Sequence, residues 1–403
     1  MATRNSLKTN YEILAGTLFE DFESGWTRDS ALDTVTCPST DYFKSGAGST
    51  MLTIGATRAN GSMTKTINTV VDIGSSSIWV YIVDTTKLAT TGIVFYVSST
   101  TDFSKYFSAS YPKAALHNGW NKLIFSKGKW VASSGEDWAN TMVRLRIRQY
   151  ADGTNSSTCY YDKWNIKEYS KPKILIDFDD NWGSAFTEGY GYMQPLGLKG
   201  NIYVIRDAVD ALNYMTTANL QTVYGAGWDL ATHGIYDLTT LEDQAAMETD
   251  IAYNKAFLTT NGFTRASDHY AYPLGGYNDT AIAAVSNTGF KTARTTLPRQ
   301  VQSDEIDNAL LLTSRPIIST TTLAVAKSYI DDATAYGGTM RIFFHKLVAS
   351  PSAETEWAIS DFQALMDYIL ARKNEGILDV VTISEWYNGM TGRKQLVTAR
   401  TSV

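Results

Sequence analysis

Hydrophobic and polar positions alternate with a period of two through much of the first 170 residues. In Ser76–Asp84 (SSIWVYIVD), Ile78, Val80 and Ile82 fall on one face and Trp79, Tyr81 and Val83 on the other. Gly92–Ser99 (GIVFYVSS) and Trp120–Lys127 (WNKLIFSK) are further runs of strand length. The cleanest alternation is Met142–Tyr150 (MVRLRIRQY), where Val143, Leu145 and Ile147 point one way and Arg144, Arg146 and Arg148 the other. Such a period describes half-buried strands. Clusters of Gly, Ser, Thr and Asn punctuate the runs at short intervals, so residues 17–169 are expected to form an all-β sandwich of jelly-roll type, behind a polar arm over 1–16. The architecture admits carbohydrate binding. The arginine stripe reads either as a solvated outer sheet face or as a surface for an anionic polysaccharide.

The pattern changes near Tyr169-Ser170-Lys171-Pro172. From there strand-like runs (KILIDF, NIYVI, WDLATHG, RIFFHKL, ILDVVTISEW) alternate with helical stretches near Thr239–Asn261, Ala281–Asn287 and Ile359–Asn374. This alternation predicts a parallel α/β fold, close to a distorted (β/α) barrel, over 170–403. Active sites of such folds sit at the C-terminal ends of the strands. The chain is therefore read as multidomain, in keeping with a length of 403 residues.

Composition narrows the function classes. A net charge of −6 without a long basic run argues against a nucleic-acid partner. No run of about 18 apolar residues is present, so no membrane span is expected. The N-terminus has no apolar segment of signal-peptide type. Only two cysteines occur, Cys37 and Cys159; free thiols are expected, with a disulfide between the ends of the first domain as the alternative.

The chemistry concentrates in the second domain. KILIDFDDNWG carries Asp177, Asp179 and Asp180 to the end of an otherwise apolar strand, where unpaired carboxylates would be costly. Three of the chain's four histidines, His233, His269 and His345, also lie in this half, and His233 and His345 directly follow strand-like runs. The strand-end rule brings these groups to one rim.

In motif content and order, residues 173–390 resemble the polysaccharide deacetylases of carbohydrate esterase family 4. That family's Thr-Phe-Asp-Asp-Gly is matched by Asp177-Phe178-Asp179-Asp180-Asn181; Asn replaces Gly, and Asn tolerates the left-handed conformation better than most residues. The His-x-x-x-His motif is met by His233, with Asp237 at the second position. Arg-Pro-Pro-Tyr-Gly becomes Ala271-Tyr272-Pro273-Leu274-Gly275, without the arginine. A strand ending in His is matched by RIFFHKL with His345, and DVVTISEW resembles the family's final strand.

The resemblance implies a hydrolase acting on an acetylated polysaccharide. It implies Asp180, His233 and Asp237 as ligands of a divalent metal, foremost zinc, with manganese or magnesium as alternatives; His269 or water are the other candidates for the third position. Asp179 would be the general base and His345 the general acid. The backbone N–H of Leu274, within the Tyr272-Pro273-Leu274-Gly275 turn, would complete the oxyanion hole. Asp177 takes no firm role beyond a hydrogen bond within the site. One rival is a non-catalytic carbohydrate-binding or virion structural protein on a decayed deacetylase fold. Another is a glycoside hydrolase using Asp177 and Asp179 as paired carboxylates. An extracellular or virion-associated setting, such as a bacteriophage tail, would bring an enzyme lacking a signal peptide to such a substrate.

Overall fold

A computed structural model describes residues 17–71, 75–133, 135–166, 170–298, 301–302 and 306–390. The chain divides into two compact units, one ending at Lys171 and one beginning at Pro172; segments 306–307 and 335–337 group with the first. The arm over 1–16 lies outside the described residues.

The first unit consists of two antiparallel sheets. One runs Asp33–Ser39, Ser49–Ile54, Ser157–Ile166, Ser75–Ile82, Gly119–Ser126, with Thr17–Glu20 also paired to Ser157–Ile166. The other runs Val131–Ala132, Phe107–Tyr111, Leu88–Ser98, Met142–Ala151, Asn60–Thr69, Thr27–Arg28. Ile78, Val80, Ile82 and Tyr161 of the first sheet share one hydrophobic cluster with Ile93, Phe95, Leu145 and Ile147 of the second, the arrangement of a β-sandwich. The alternation in MVRLRIRQY departs from expectation at one point. Leu145 and Ile147 are fully buried, but Met142 enters the core in place of Val143. A register shift against Asn60–Thr69 between Met142 and Arg144 accounts for this, because one extra residue exchanges the faces of the strand. Cys37 and Cys159 are free thiols.

The second unit is built on a parallel eight-stranded sheet. Its path is Thr292–Arg294, Ala266–Ala271, Asp229–His233, Asn201–Val204, Lys173–Phe178, Thr339–Phe344, Arg315–Pro316. Asp379–Val380 pairs with the start of Lys173–Phe178, beside Lys173 and Ile174. Asn201 and Ile202 pair with its end, at Asp177 and Phe178. This sheet fits the predicted distorted barrel. Every residue of Lys173–Phe178 and Thr339–Phe344 is buried, as strands covered on both faces require.

The predicted helices are observed over Gln244–Thr260, Asp279–Asn287 and Ile359–Asn374. The first begins later than its pattern indicated. Asp243 accepts a hydrogen bond from the Ala246 N–H at 2.8 Å and starts the helix there, leaving Leu238–Thr240 as a separate 3-10 turn. The expected final strand through DVVTISEW is also shorter, and residues 383–390 are helical. The reason is a capping box: the Thr382 N–H donates to Glu385 Oε2 at 3.0 Å, and the Glu385 N–H donates to Thr382 Oγ1 at 3.4 Å.

Candidate active site

The strand Lys173–Phe178 ends just before the two adjacent aspartates. The Asp179 N–H still donates to the Phe344 carbonyl at 2.8 Å. Asp180 and Asn181 then turn the chain with φ of 65° and 44°, the left-handed region that Asn accommodates. Consecutive strand residues would point to opposite faces; this turn lets Asp179 and Asp180 serve one rim. Asn181 is fully buried and does more than tolerate the turn. Its Oδ1 accepts from the Ile205 N–H at 2.9 Å, and its carbonyl accepts from the Met215 N–H at 2.8 Å.

The rim gathers one carboxylate and two imidazoles. His233 Nε2 lies 3.4 Å from Asp180 Oδ1, and His345 Nε2 lies 4.0 Å from Asp180 Oδ2. His233 Nδ1 is 2.9 Å from the Ala271 carbonyl. With that bond donated, Nε2 is the unprotonated nitrogen facing Asp180, the arrangement of a metal-binding imidazole with an outer partner. Burial pushes the His233 pKa down, against the opposing pull of Asp179 and Asp180, and so favours the neutral ring.

Beneath the rim lies a buried ion cluster centred on a residue the sequence patterns did not single out. Arg294, 2 % exposed, ends the strand Thr292–Arg294. Its Nη2 donates to both oxygens of Asp179, at 2.6 and 2.7 Å, and its Nε lies 3.5 Å from Asp177 Oδ2. Burial alone would raise the Asp179 pKa, but Arg294, His233 and His345 outweigh it and hold the carboxyl below its usual range. Asp177, which accepts from Asn201 Nδ2 at 2.7 Å, is pushed up to about 6 by burial, against Arg294 and Arg341. No pattern local to Arg294 marks it in the sequence; position 271 holds Ala where the resembled motif has Arg.

Two expected ligands are not brought to the rim. The Asp237 Oδ1 caps its own turn, accepting from the Thr239 N–H at 2.9 Å and the Thr239 hydroxyl at 2.7 Å. A Cβ added at Gly276 would lie 2.2 Å from that same oxygen, so the carboxylate packs against the 272–276 turn. A short polar side chain just before a helical turn is drawn to the free N–H groups there, and this preference governs Asp237. His269 lies two residues before the end of Ala266–Ala271, with Nδ1 2.8 Å from Thr292 Oγ1. Its pKa is pushed down to about 4, chiefly by burial, and among its charged neighbours is Asp229, the opening residue of the strand that His233 closes. The His269 ring packs edge-on against Tyr387 at 5.3 Å. Among the described residues no group of three or more His, Cys, Asp or Glu side chains forms a metal cluster.

The turn from Tyr272 to Gly275 is anchored beside the site. The Tyr272 N–H donates to the Arg294 carbonyl at 3.0 Å, and Gly275 and Gly276 donate back to Tyr272 and Pro273 at 3.0 and 3.1 Å. Leu274 takes φ of 55° and leaves its side chain 90 % exposed, while its N–H donates to no described residue. Pro273 is buried and fixes the entry to the turn.

Residues 166–293 match the model of the family described as polysaccharide deacetylase. This chain carries a polysaccharide deacetylase domain. The deacetylase match includes Asp179, Asp180, His233 and the 272–275 turn, and it stops one residue before Arg294. The domain is similar to the putative polysaccharide deacetylase YxkH of Bacillus subtilis (strain 168), with 26% identity over 141 residues, 34% of this chain and 50% of that protein. The chain thus spans about half the length of the curated relative it matches. Among solved structures, a putative polysaccharide deacetylase from Mycobacterium smegmatis is similar with a TM-score of 0.42 and 10% identity, over 57% of this chain and 93% of that one. A family 4 carbohydrate esterase from Streptomyces lividans in complex with acetate gives a TM-score of 0.36 and 17% identity, over 53% and 94%.

As a test of the donor set, Asp180 and His233 converge with the right atoms and the right tautomer for a divalent cation. They would supply two of the three protein ligands that catalytic zinc sites usually have.

Proposed function

We propose that this protein is a metal-dependent hydrolase that removes acetyl groups, on nitrogen or oxygen, from a polysaccharide. The observation that carries this reading is the placement of Asp179, clamped and ionised by Arg294, next to the cluster of Asp180, His233 and His345. A divalent cation held by Asp180 and His233, zinc being the first candidate, would supply Lewis acidity to polarise the acetyl carbonyl and lower the pKa of a water to roughly 7.

The chain's own groups divide the remaining work. Asp179 accepts the proton of the attacking water as general base; Arg294 keeps it charged and fixes its orientation. His345 donates a proton to the leaving amine or alkoxide. The Leu274 N–H offers a hydrogen bond to the oxyanion, a role independent of its side chain. Asp177 is a positioning residue behind Arg294. Under this reading the jelly-roll-like sandwich holds the enzyme on its polymer, and the setting is extracellular or virion-associated.

A second reading is a carbohydrate-binding or structural protein on the same fold. The withdrawal of Asp237 into its cap favours it, since two protein ligands bind a cation less tightly than three. Acetate release from acetylated glycans by the metal-loaded full chain decides between them: release supports the hydrolase, and its absence with metal bound supports the binding protein.

A further inference from the structure

The outer face of the second sandwich sheet is a patterned cationic surface. Along Met142–Ala151, Arg144, Arg146 and Arg148 project from the face opposite the core residues Leu145 and Ile147. They recur every second residue, roughly 7 Å apart. On one side they are paired with Thr66, Thr64 and Ser62, and all three arginines are half-buried. On the other side lie Ser98, Tyr96 and Val94. Aromatic rings hold two of the three: the Arg146 Cζ is 3.8 Å from the Phe103 ring centre, and the Arg148 Cζ is 5.7 Å from that of Tyr96. Tyr106 packs edge-on to Tyr96 at 5.3 Å.

The counter-charge on this face is meagre. Asp29 accepts from Arg146 Nε at 3.0 Å, but it also serves the hydroxyls of Ser62 and Thr64 at 2.7 and 3.0 Å. Arg144 bonds to Thr66 Oγ1 at 3.0 Å, and neither Arg144 nor Arg148 has a carboxylate partner among the described residues. Three arginines against one aspartate leave 3 − 1 = +2 on this face, in a chain whose net charge is −6. Elsewhere in the same unit buried or half-buried cations are matched, Arg58 with Asp33 and Lys65 with Glu20. Like charges aligned along a strand repel. Rings hold two of them in place on this face.

We propose that this face binds a carboxylate-bearing polysaccharide, with its acid groups on the guanidinium forks of Arg144 and Arg148 and a sugar ring against Tyr96 and Tyr106. The planar fork matches a carboxylate with two parallel N–H donors, and a tyrosine ring offers an apolar body with a polar tip to a sugar. Two unneutralised charges are few for a phosphate backbone, whose binding scales with the number of phosphates neutralised. The inference concerns binding alone and does not depend on acetate release by the other unit.

The test uses the full chain and measures affinity for polygalacturonate, for hyaluronan and for methyl-esterified polygalacturonate at one salt concentration. The expected result is binding of at least one acid polymer, at least tenfold weaker binding of the ester, and a further tenfold loss in the Arg144→Gln/Arg148→Gln double variant with an unchanged unfolding midpoint. The proposal is overturned if neither acid polymer binds, if ester and acid bind alike, if the double variant matches the parent, or if a duplex DNA oligonucleotide binds as tightly as the acid polymers.

Discussion

Arg294 Nη2 sits 2.6 and 2.7 Å from the two carboxylate oxygens of Asp179, so a single nitrogen fixes the charge and the orientation of the proposed base. Both side chains are buried, and Arg294 also lies 3.5 Å from Asp177. Removing one partner from such a cluster leaves an uncompensated charge, at a cost of about 3–5 kcal/mol. Arg294→Ala is therefore expected to lower unfolding stability by that order and to reduce acetate release at least 100-fold. Arg294→Lys keeps the charge but loses the planar geometry, and should retain more stability than activity. Urea unfolding and acetate assays on both variants check this; a fully active Arg294→Ala would remove the clamp from the account.

The two buried aspartates respond to pH in opposite senses. Asp179 has its pKa held below the usual range, so its contribution to stability is present above the unfolded value of 3.8 and is lost as pH falls through the lower folded value. Asp177 is raised from 3.8 to about 6, so its contribution is complete below 3.8 and is lost as pH rises through 6. Asp177→Asn should therefore flatten the fall in stability between pH 4 and 7, so that its stability relative to the parent is more favourable at pH 7 than at pH 4. Unfolding free energies at the two values measure this; an equal difference at both would show that Asp177 titrates normally.

Asp237 is expected to act as a cap. Asp237→Ala should cost about 1 kcal/mol of stability, the usual loss for an N-cap, while the affinity for divalent metal stays within about twofold of the parent. Metal titration after chelation, alongside thermal unfolding, distinguishes the roles. A large loss of affinity with unchanged stability would return Asp237 to the metal shell.

These cases also mark how far the sequence reaches. The period-two runs and the strand–helix alternation identify both units because burial of one face or of both leaves a direct trace in hydrophobicity. The strand-end placement of Asp179, Asp180, His233 and His345 is legible for the same reason, since each follows an apolar run. Contacts between distant strands leave no such trace. Arg294 is 115 residues from Asp179, and no local pattern distinguishes it from a surface arginine. Spacing alone does not separate the two roles open to Asp237, because a cap and a ligand use the same residue type at the same kind of position. Thr382 and Glu385 carried a capping signature within a run that also reads as strand, and the cap prevailed. The bulge beside Met142 depends on the partner strand and is invisible in MVRLRIRQY alone.

The most direct test of the proposed chemistry compares the parent chain with Asp179→Asn, both metal-loaded, for acetate released from acetylated glycans and for bound metal. Asn keeps the shape and accepts from Arg294 through one oxygen, but it cannot take a proton from water. The predicted result is release by the parent, a loss of about 100-fold or more in the variant, and the same metal content in both. Activity in Asp179→Asn within about threefold of the parent would contradict the assignment of Asp179 as the base.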